Sequence, residues 1–385
     1  MHAPAADSAR RPDAVTAANA AQDDGFVIRA CERGWLPDPL VRLGMRQLMR
    51  QRLRDEGAGQ PALRQQKWQT LLADLRSSPI AIETQAANGQ HYEVPAEFFH
   101  AHLGPHLKYS GCLYPTGSES LDQAEAAMLA LYAQRAQLQD GQRVLDLGCG
   151  WGSFSLWAAA QFPGSEIVGL SNSHGQREFI EAQARERGLN NLRIVTGNIV
   201  DVELPPEVLQ GGFDRVVSVE MFEHMKNYGL LLAKISRWMK DDAQLFVHIF
   251  AHRELAYHFE VNGASDWMSK YFFTGGTMPS LDLLAQFQDD LALQEQWWVD
   301  GTHYERTANH WLERLDARRA ELMPLMVQTY GADQAAVWFQ RWRMFYMAVA
   351  ELFGYADGSE WGVAHYRFQP RADRASRTVA VPDAA

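Results

Sequence analysis

The chain has 385 residues, of which 46% are hydrophobic and 12 are tryptophan, and its formal net charge is -11. This length and apolar content are enough for one large elaborated domain, or for two domains, with a sizeable core. The acidic balance argues against a nucleic-acid partner that is bound mainly through phosphate contacts.

Three cysteines, Cys31, Cys112 and Cys149, lie far apart and without CxxC spacing. We therefore expect a reducing compartment, no disulfide framework and no zinc or other metal site. The first 25 residues lack the apolar centre of a secretory signal, and no stretch approaches the roughly 20 apolar residues of a membrane span. These features predict a soluble, cytoplasmic protein without a transmembrane segment.

The N-terminal third contains little strand pattern. Residues 1–24 are rich in Ala, Asp, Pro and Ser and predict a disordered arm. Residues 25–107 predict mainly helices, among them a basic amphipathic helix at "LVRLGMRQLMRQRLRDE" (40–56). The alternation in "PIAIETQAANGQHYEVP" (79–95) around Asn88-Gly89 indicates a hairpin.

From residue 142 onwards, strands alternate with helices. The predicted strands are "RVLDLGCG" (143–150), "SEIVGLS" (165–171), "LRIVTGN" (192–198), "FDRVVSVE" (213–220) and "AQLFVHIFA" (243–251). A helix over "HGQREFIEAQARERG" ends at Gly188. This alternation is typical of a doubly wound α/β core with a parallel sheet. An aromatic-rich, loop-rich region and a helical stretch follow, and the tail from residue 371 predicts disorder.

A glycine turn follows the first strand. In "DLGCGWGS", Gly148, Gly150 and Gly152 lie between a strand and a helix, where backbone can approach a ligand closely. Asp146 would be a partner for a cationic group, such as the ammonium of S-adenosylmethionine. A packing turn without a ligand remains the alternative at this point.

The residues at the tip of the second strand help to distinguish two kinds of cofactor. A dinucleotide site expects a carboxylate there for the ribose hydroxyls. The sequence instead has Ser171, Asn172, Ser173 and Gln176. Neutral oxygens and an amide can still bind a ribose, so a nucleoside remains possible while the case for NAD is weaker. A polar loop that only caps the next helix is the alternative.

The segment "SVEMFEHMKNY" (218–228) contains two glutamates and a histidine within five positions. If it is helical from Glu220, then Glu220, Glu223 and His224 share a face. They would then point into a pocket at the carboxyl end of the fourth strand. The alternative is that the two acids only interact with the dipole of a helix start and that His224 is a packing residue.

Several motifs in order resemble the cyclopropane-fatty-acid-synthase superfamily of S-adenosylmethionine-dependent methyltransferases. They are "YSGCLYP" (109–115), "VLDLGCGWGSFSL", "GLSNSHGQREFI", "MFEHMKNY" and "YFFTGGTMPS" (271–280). Within this superfamily the chain is most similar to coclaurine N-methyltransferase-like members, and the resemblance covers about residues 90–370. It implies a Rossmann-like class I core with a helical N-terminal part and C-terminal cap insertions. The implied boundaries are 108–251 for the core and 252–370 for the cap.

The resemblance also implies how the cofactor is held. Tyr109 and Ser110 would contact its methionine part, and Asp146, Gly148, Gly150 and Gly152 would form the glycine turn. Ser171 and Gln176 would hold the ribose, and Asn198 with Ile199 would lie by the adenine.

For the acceptor, the resemblance leaves two reactions open. Glu220, Glu223 and His224 match the acidic cluster of the coclaurine branch, which implies N-methylation of a small, aromatic amine. Glu223, His224 and His248 also match positions around a bicarbonate base in the fatty-acid branch, which methylates or cyclopropanates unsaturated acyl chains. Glu220 stands where that branch usually has a small residue, and Gly111 where it usually has cysteine, so we favour the amine. A cofactor-binding protein without catalysis is a further alternative. The acceptor is a small molecule or a lipid, and a homodimer is a further expectation.

Overall fold

The computed structural model describes residues 25–82, 94–261, 263 and 266–374. Its strands are β1 (Arg143–Leu147), β2 (Glu166–Ser171), β3 (Leu192–Thr196), β4 (Phe213–Val219), β5 (Met239–His252), β6 (Tyr257–His258), β7 (Thr277–Met278), β8 (Leu291–Val299) and β9 (Trp361–Pro370). The predicted arm at 1–24, the hairpin turn at Asn88-Gly89 and most of the predicted tail lie outside the described residues.

Helices cover the sheet and form the N-terminal part of the described chain. They are α1 (Gly25–Glu32), α2 (Asp38–Asp55), α3 (Pro61–Ser77), α4 (Ala96–His102), α5 (Leu121–Arg135), α6 (Ser153–Gln161), α7 (His174–Glu186), α8 (Pro206–Leu209), α9 (Tyr228–Ser236), α10 (Trp267–Tyr271), α11 (Gly301–Ala317), α12 (Arg319–Tyr330) and α13 (Ala335–Phe353). Short 3-10 helices occupy Phe222–His224, Leu284–Gln286 and Tyr355–Gly358. None of the described helices combines the length and apolar composition needed to cross a bilayer.

Seven strands form one sheet in the order β3-β2-β1-β4-β5-β9-β8. The first five are parallel, as the strand–helix alternation predicts, and β9 runs antiparallel between β5 and β8. Apolar runs such as "LFVHIF" are buried in the sheet, because helices cover both faces of a doubly wound fold. The α/β prediction is confirmed, whereas β8 and β9 were missed in a stretch expected to be loops and helices.

The strand order reverses next to β1, which has β2 on one side and β4 on the other. In open α/β sheets, ligands bind beyond the carboxyl ends of the strands at such a switch point. Here the glycine turn after β1 and the acidic segment after β4 meet. The topology thus brings together two motifs that lie about 70 residues apart in sequence.

The C-terminal helices pack beside this edge. Helix α11 packs on α13, and α2 contacts α13 as well. Arg42 and Arg46 on α2 both pair with Glu351 on α13, at 3.0 and 2.5 Å. The predicted basic helix near residues 40–56 is therefore present, and part of its charge joins it to the C-terminal helices.

Candidate active site

Two adjoining cavities lie at the switch point and share Gly148, Gly150 and Glu220. The predicted residues in the first are Tyr109, Ser110 and Asp146, besides the shared ones. Those in the second are Ser171, Gln176, Asn198, Ile199 and His224. The structure therefore gathers most of the predicted site residues in one place.

The three glycines of the turn have different surroundings. All have positive φ, at 84° for Gly148, 51° for Gly150 and 80° for Gly152, which favours glycine. A Cβ on Gly150 would meet no atom within 4 Å among the described residues, so its backbone faces open space. A Cβ on Gly152 would lie 2.7 Å from Ile180. Gly152 lines neither cavity, and its close approach to Ile180 packs the start of α6 against α7, while its contact with a cofactor stays a prediction.

Asp146 lies at the end of β1, with 2% of its surface exposed. One carboxylate oxygen accepts a hydrogen bond from Ser155 Oγ at 2.6 Å. Burial raises the pKa of Asp146 to about 7, although hydrogen bonds from Ser155 oppose the rise. A cation in the first cavity would favour the ionised carboxylate, as an ammonium group does.

Ser171 and Gln176 form a polar pair at the tip of β2. Ser171 Oγ donates to Gln176 Oε1 at 2.7 Å, which directs the amide nitrogen away from Ser171. Gln176 Nε2 is buried and has no hydrogen-bond partner among the described residues. Because buried amide donors are normally satisfied, this nitrogen suits an acceptor such as a ribose hydroxyl.

Lys108 was missed by the sequence analysis. It is 1% exposed, and its Nζ donates to Ser110 Oγ at 2.5 Å and to the Gly111 carbonyl at 2.6 Å. The neighbouring Tyr109 packs its ring against Phe99, at 5.1 Å between centroids. A lysine directly before the "YSG" segment is the signal that could have identified this residue.

Glu220 ends β4 in an unusual backbone conformation, with φ 45°. The left-handed region is strained for a non-glycine residue, by about 1–3 kcal/mol. The Glu220 N–H donates to the His248 carbonyl at 2.9 Å, which keeps the residue beside β5. The predicted helix from Glu220 is wrong, because only Phe222–His224 form a single 3-10 turn after this bend.

The Glu220 carboxylate is the centre of a hydrogen-bond cluster. Oε1 accepts from the Gly111 N–H and contacts His248 Nε2, both at 3.2 Å, and Oε2 accepts from Tyr304 Oη at 2.8 Å. Burial raises the pKa of Glu220 to about 7, and Lys108, Tyr304 and Gly111 act against the rise. A carboxyl group with a pKa in this range can accept or release a proton near neutral pH.

Glu223 is 1% exposed and lies on the 3-10 turn. Its Oε2 is buried and accepts no hydrogen bond from the described residues. Burial, followed by the negative charge of Glu220, raises the pKa of Glu223 well above its ordinary range. A cation between the two carboxylates would relieve both effects.

The two predicted histidines differ in surroundings. His224 lines the second cavity, and its ring stacks on Phe273 with centroids 6.2 Å apart. His248 is fully buried and lines neither cavity, and it contacts the lining residues Glu220 and Tyr132. Tyr304 on α11 also reaches the site, where its hydroxyl holds the Glu220 carboxylate.

The donor set of the two cavities fits S-adenosylmethionine, with a buried acid for a cation and an unsatisfied amide beside the second strand. Together with the strand order and its antiparallel β9, these features define the chain as a class I S-adenosylmethionine-dependent methyltransferase. The model of the family described as mycolic acid cyclopropane synthetase matches residues 81–355. The chain belongs to this family.

Characterised relatives support the assignment. The chain is 38% identical over 351 residues to (S)-coclaurine N-methyltransferase of Papaver somniferum, which covers 90% of this chain and 98% of the relative. It is 40% identical over 305 residues to the (S)-coclaurine N-methyltransferase of Thalictrum flavum subsp. glaucum, with 78% and 83% covered. A crystal structure of coclaurine N-methyltransferase bound to N-methylheliamine and SAH superposes with a TM-score of 0.85 at 36% identity, and covers 89% of this chain and 98% of that one.

Proposed function

We propose that this enzyme methylates the nitrogen of a small, aromatic amine. The observation that carries the proposal is the pair of carboxylates after β4. The Glu220 side chain is 11% exposed, and Glu223 is fully buried with an oxygen that has no hydrogen-bond partner among the described residues. Buried carboxylates need a compensating cation, and an alkylammonium acceptor supplies one.

The two carboxylates suit the two tasks that an amine requires. An alkylamine is mostly protonated at neutral pH, and only its neutral form attacks a methyl group. Glu223 would bind the ammonium, and Glu220, with a pKa of about 7, would accept its proton. General-base assistance of this kind contributes about 10²–10⁴-fold. S-adenosylmethionine supplies the electrophilic methyl group.

The predicted cofactor contacts remain part of the proposal. Asp146 and the Gly148–Gly150 backbone would hold the methionine part together with Tyr109 and Ser110. Gln176 Nε2 would donate to a ribose hydroxyl beside Ser171, and Asn198 with Ile199 would flank the adenine. Each of these residues lines one of the two cavities.

Aromatic rings next to His224 support an aromatic acceptor. Phe273 packs against Phe250 and Phe259, with centroids 5.7 and 5.5 Å apart, and it also contacts His224 and Phe345. Two neighbouring aromatics of the same segment belong to the core. Trp267 is buried and donates to Glu32, and Phe272 stacks on Phe345. We therefore assign Phe273, which stacks on His224, to the acceptor pocket.

The relatives named above also support an amine. Two are (S)-coclaurine N-methyltransferases, and the solved structure contains N-methylheliamine, so benzylisoquinoline-type and simple isoquinoline amines are the acceptors to test first. Cytoplasmic localisation and a homodimer remain predictions, which cell fractionation and analytical ultracentrifugation would test.

The test incubates purified enzyme and methyl-labelled S-adenosylmethionine with either these amines or vesicles of unsaturated phospholipid. Label in the amines is expected, together with a 10²–10⁴-fold loss of kcat in Glu220→Gln, because this variant lacks the proposed base. Glu321→Gln, a surface change on α12, is the matched control and is expected to retain full activity. Label in the lipid alone would refute the amine and assign the acids to an acyl-chain reaction. Cofactor binding without label in either pool would contradict the proposed acceptors.

A further inference from the structure

A line of hydrogen bonds leads from the Glu220 carboxylate away from the cavities and into the core. Glu220 Oε1 lies 3.2 Å from His248 Nε2. His248 Nδ1 lies 2.8 Å from His365 Nε2, and His365 Nδ1 lies 2.5 Å from a guanidinium nitrogen of Arg135. Two imidazoles therefore connect the Glu220 carboxylate to an arginine.

The fold builds this line from three elements. His248 on β5 and His365 on β9 are direct cross-strand partners in the antiparallel pair. Arg135 is the last residue of α5, and its guanidinium also lies over the Trp297 ring at 4.8 Å. Both histidines are fully buried, so water does not compete for their nitrogens.

The donor direction of every bond follows from Arg135. Arginine only donates hydrogen bonds, so His365 Nδ1 must be the acceptor. Burial lowers the pKa of both histidines well below the ordinary range, and a neutral imidazole has one donor and one acceptor. His365 then donates through Nε2 to His248 Nδ1, and His248 donates through Nε2 to Glu220.

We propose that Arg135 and His365 are positioning residues that fix the tautomer of His248, so that the Glu220 carboxylate receives three donors. The other two are the Gly111 N–H and Tyr304 Oη. The same direction forbids a proton exit along this line, because His248 Nε2 already carries a proton and Arg135 cannot accept one. A proton taken up by Glu220 therefore leaves through the cavities. This last consequence rests on the proposed function, whereas the tautomers do not.

Other groups near Glu220 act on its charge. The titratable and charged groups that face it are Lys108, Cys112, Tyr132, Glu223, His248 and Tyr304. Tyr132 matters most for a test, because its hydroxyl lies 2.9 Å from His248 Nδ1 and can donate to the same lone pair as His365. A test must remove this second donor.

The test therefore compares His365 variants in a Tyr132→Phe background. His365→Gln retains one donor and one acceptor, whereas His365→Leu retains neither. With ¹⁵N-histidine labelling of the resting enzyme, His248 is expected as the Nε2–H tautomer in wild type, in Tyr132→Phe and with Gln at 365. The Leu variant is expected to lose this preference. An Nδ1–H tautomer in wild type, or identical spectra for the Gln and Leu variants, would overturn the proposal.

A second readout follows Glu220 itself through the ¹³C shift of its labelled δ-carboxyl group, which is assigned by its disappearance in Glu220→Gln. Loss of an ordered donor is expected to move its titration upward by about one pH unit in the Leu variant. Arg135→Met in the Tyr132→Phe background should move it in the same direction. Arg367→Met is the matched control, because Arg367 also lies over Trp297 but bonds to Glu295. Equal shifts for Arg135→Met and Arg367→Met would contradict the proposal.

Neither readout needs a methyl acceptor, so failure of the proposed amine chemistry would leave both results interpretable. If the amine is a substrate, the acid limb of kcat against pH should shift with the δ-carboxyl titration. At pH values below that limb, the Leu variant should then be about tenfold slower than the Gln variant.

Discussion

Replacing Glu220 by glutamine tests whether ionisation of this carboxyl group in the site lowers the free energy of unfolding. The pKa of Glu220 is about 7, against an ordinary value of 4.5. The native state therefore binds more protons than the unfolded chain between these values, so stability falls as pH rises through this window and is constant above it. A difference of about 2.5 in pKa corresponds to about 3 kcal/mol. Glutamine has no charge at any pH, so Glu220→Gln should not show this fall in stability as the pH rises.

The assay is urea unfolding of the wild type and Glu220→Gln at pH 5 and pH 8, followed by tryptophan fluorescence. The stability of the variant relative to wild type should increase by about 3 kcal/mol between the two pH values. Glu178→Gln on the surface of α7 is the control and reports effects of the substitution that are unrelated to burial. The reasoning would be refuted if the difference in free energy of unfolding between Glu220→Gln and wild type were the same at both pH values. Ionisation of Glu220 would then not destabilise the native protein.

Two further predictions test the cofactor pocket and the packing of the cap. Gln176→Leu should weaken S-adenosylmethionine binding by about tenfold in calorimetry, because it removes the proposed donor to the ribose, and an unchanged Kd would contradict that contact. Gly301→Ala should lower the free energy of unfolding by about 3 kcal/mol, because a Cβ there would lie 2.1 Å from the Trp361 carbonyl oxygen. Its control, Gly44→Ala on α2, meets no atom within 4 Å among the described residues and should raise stability by up to about 1 kcal/mol.

Much of the parallel half of the fold could be predicted, because each strand is a short apolar run bounded by glycine or polar residues. The glycine turn and the acids after β4 could be placed in one site for the same reason, since parallel strands end at one edge. The bend at Glu220 could not be predicted. It depends on a hydrogen bond to the His248 backbone and on side-chain partners from β5 and α11, which are distant in sequence.

The surroundings of His248 were missed for a related reason. Its neighbour His365 lies 117 residues further along the chain, and only the antiparallel insertion of β9 makes them adjacent. A strand–helix alternation predicts more parallel strands and carries no signal for such an insertion. Lys108 was missed because a single lysine is usually at the surface. This lysine is buried, and its ammonium group donates hydrogen bonds to Ser110 and Gly111.

The position of β9 in the sheet has a consequence for how the protein is made. Strand β5 leaves the ribosome about 110 residues before β9, yet β9 is its partner on one side. At the usual 5–20 residues per second, the edge of β5 that includes "LFVHIF" waits on the order of 10 s for that partner. An apolar strand with an open edge is a template for pairing with other chains. The nascent enzyme should therefore depend on chaperones during this interval, and it should acquire activity only after β9 has emerged.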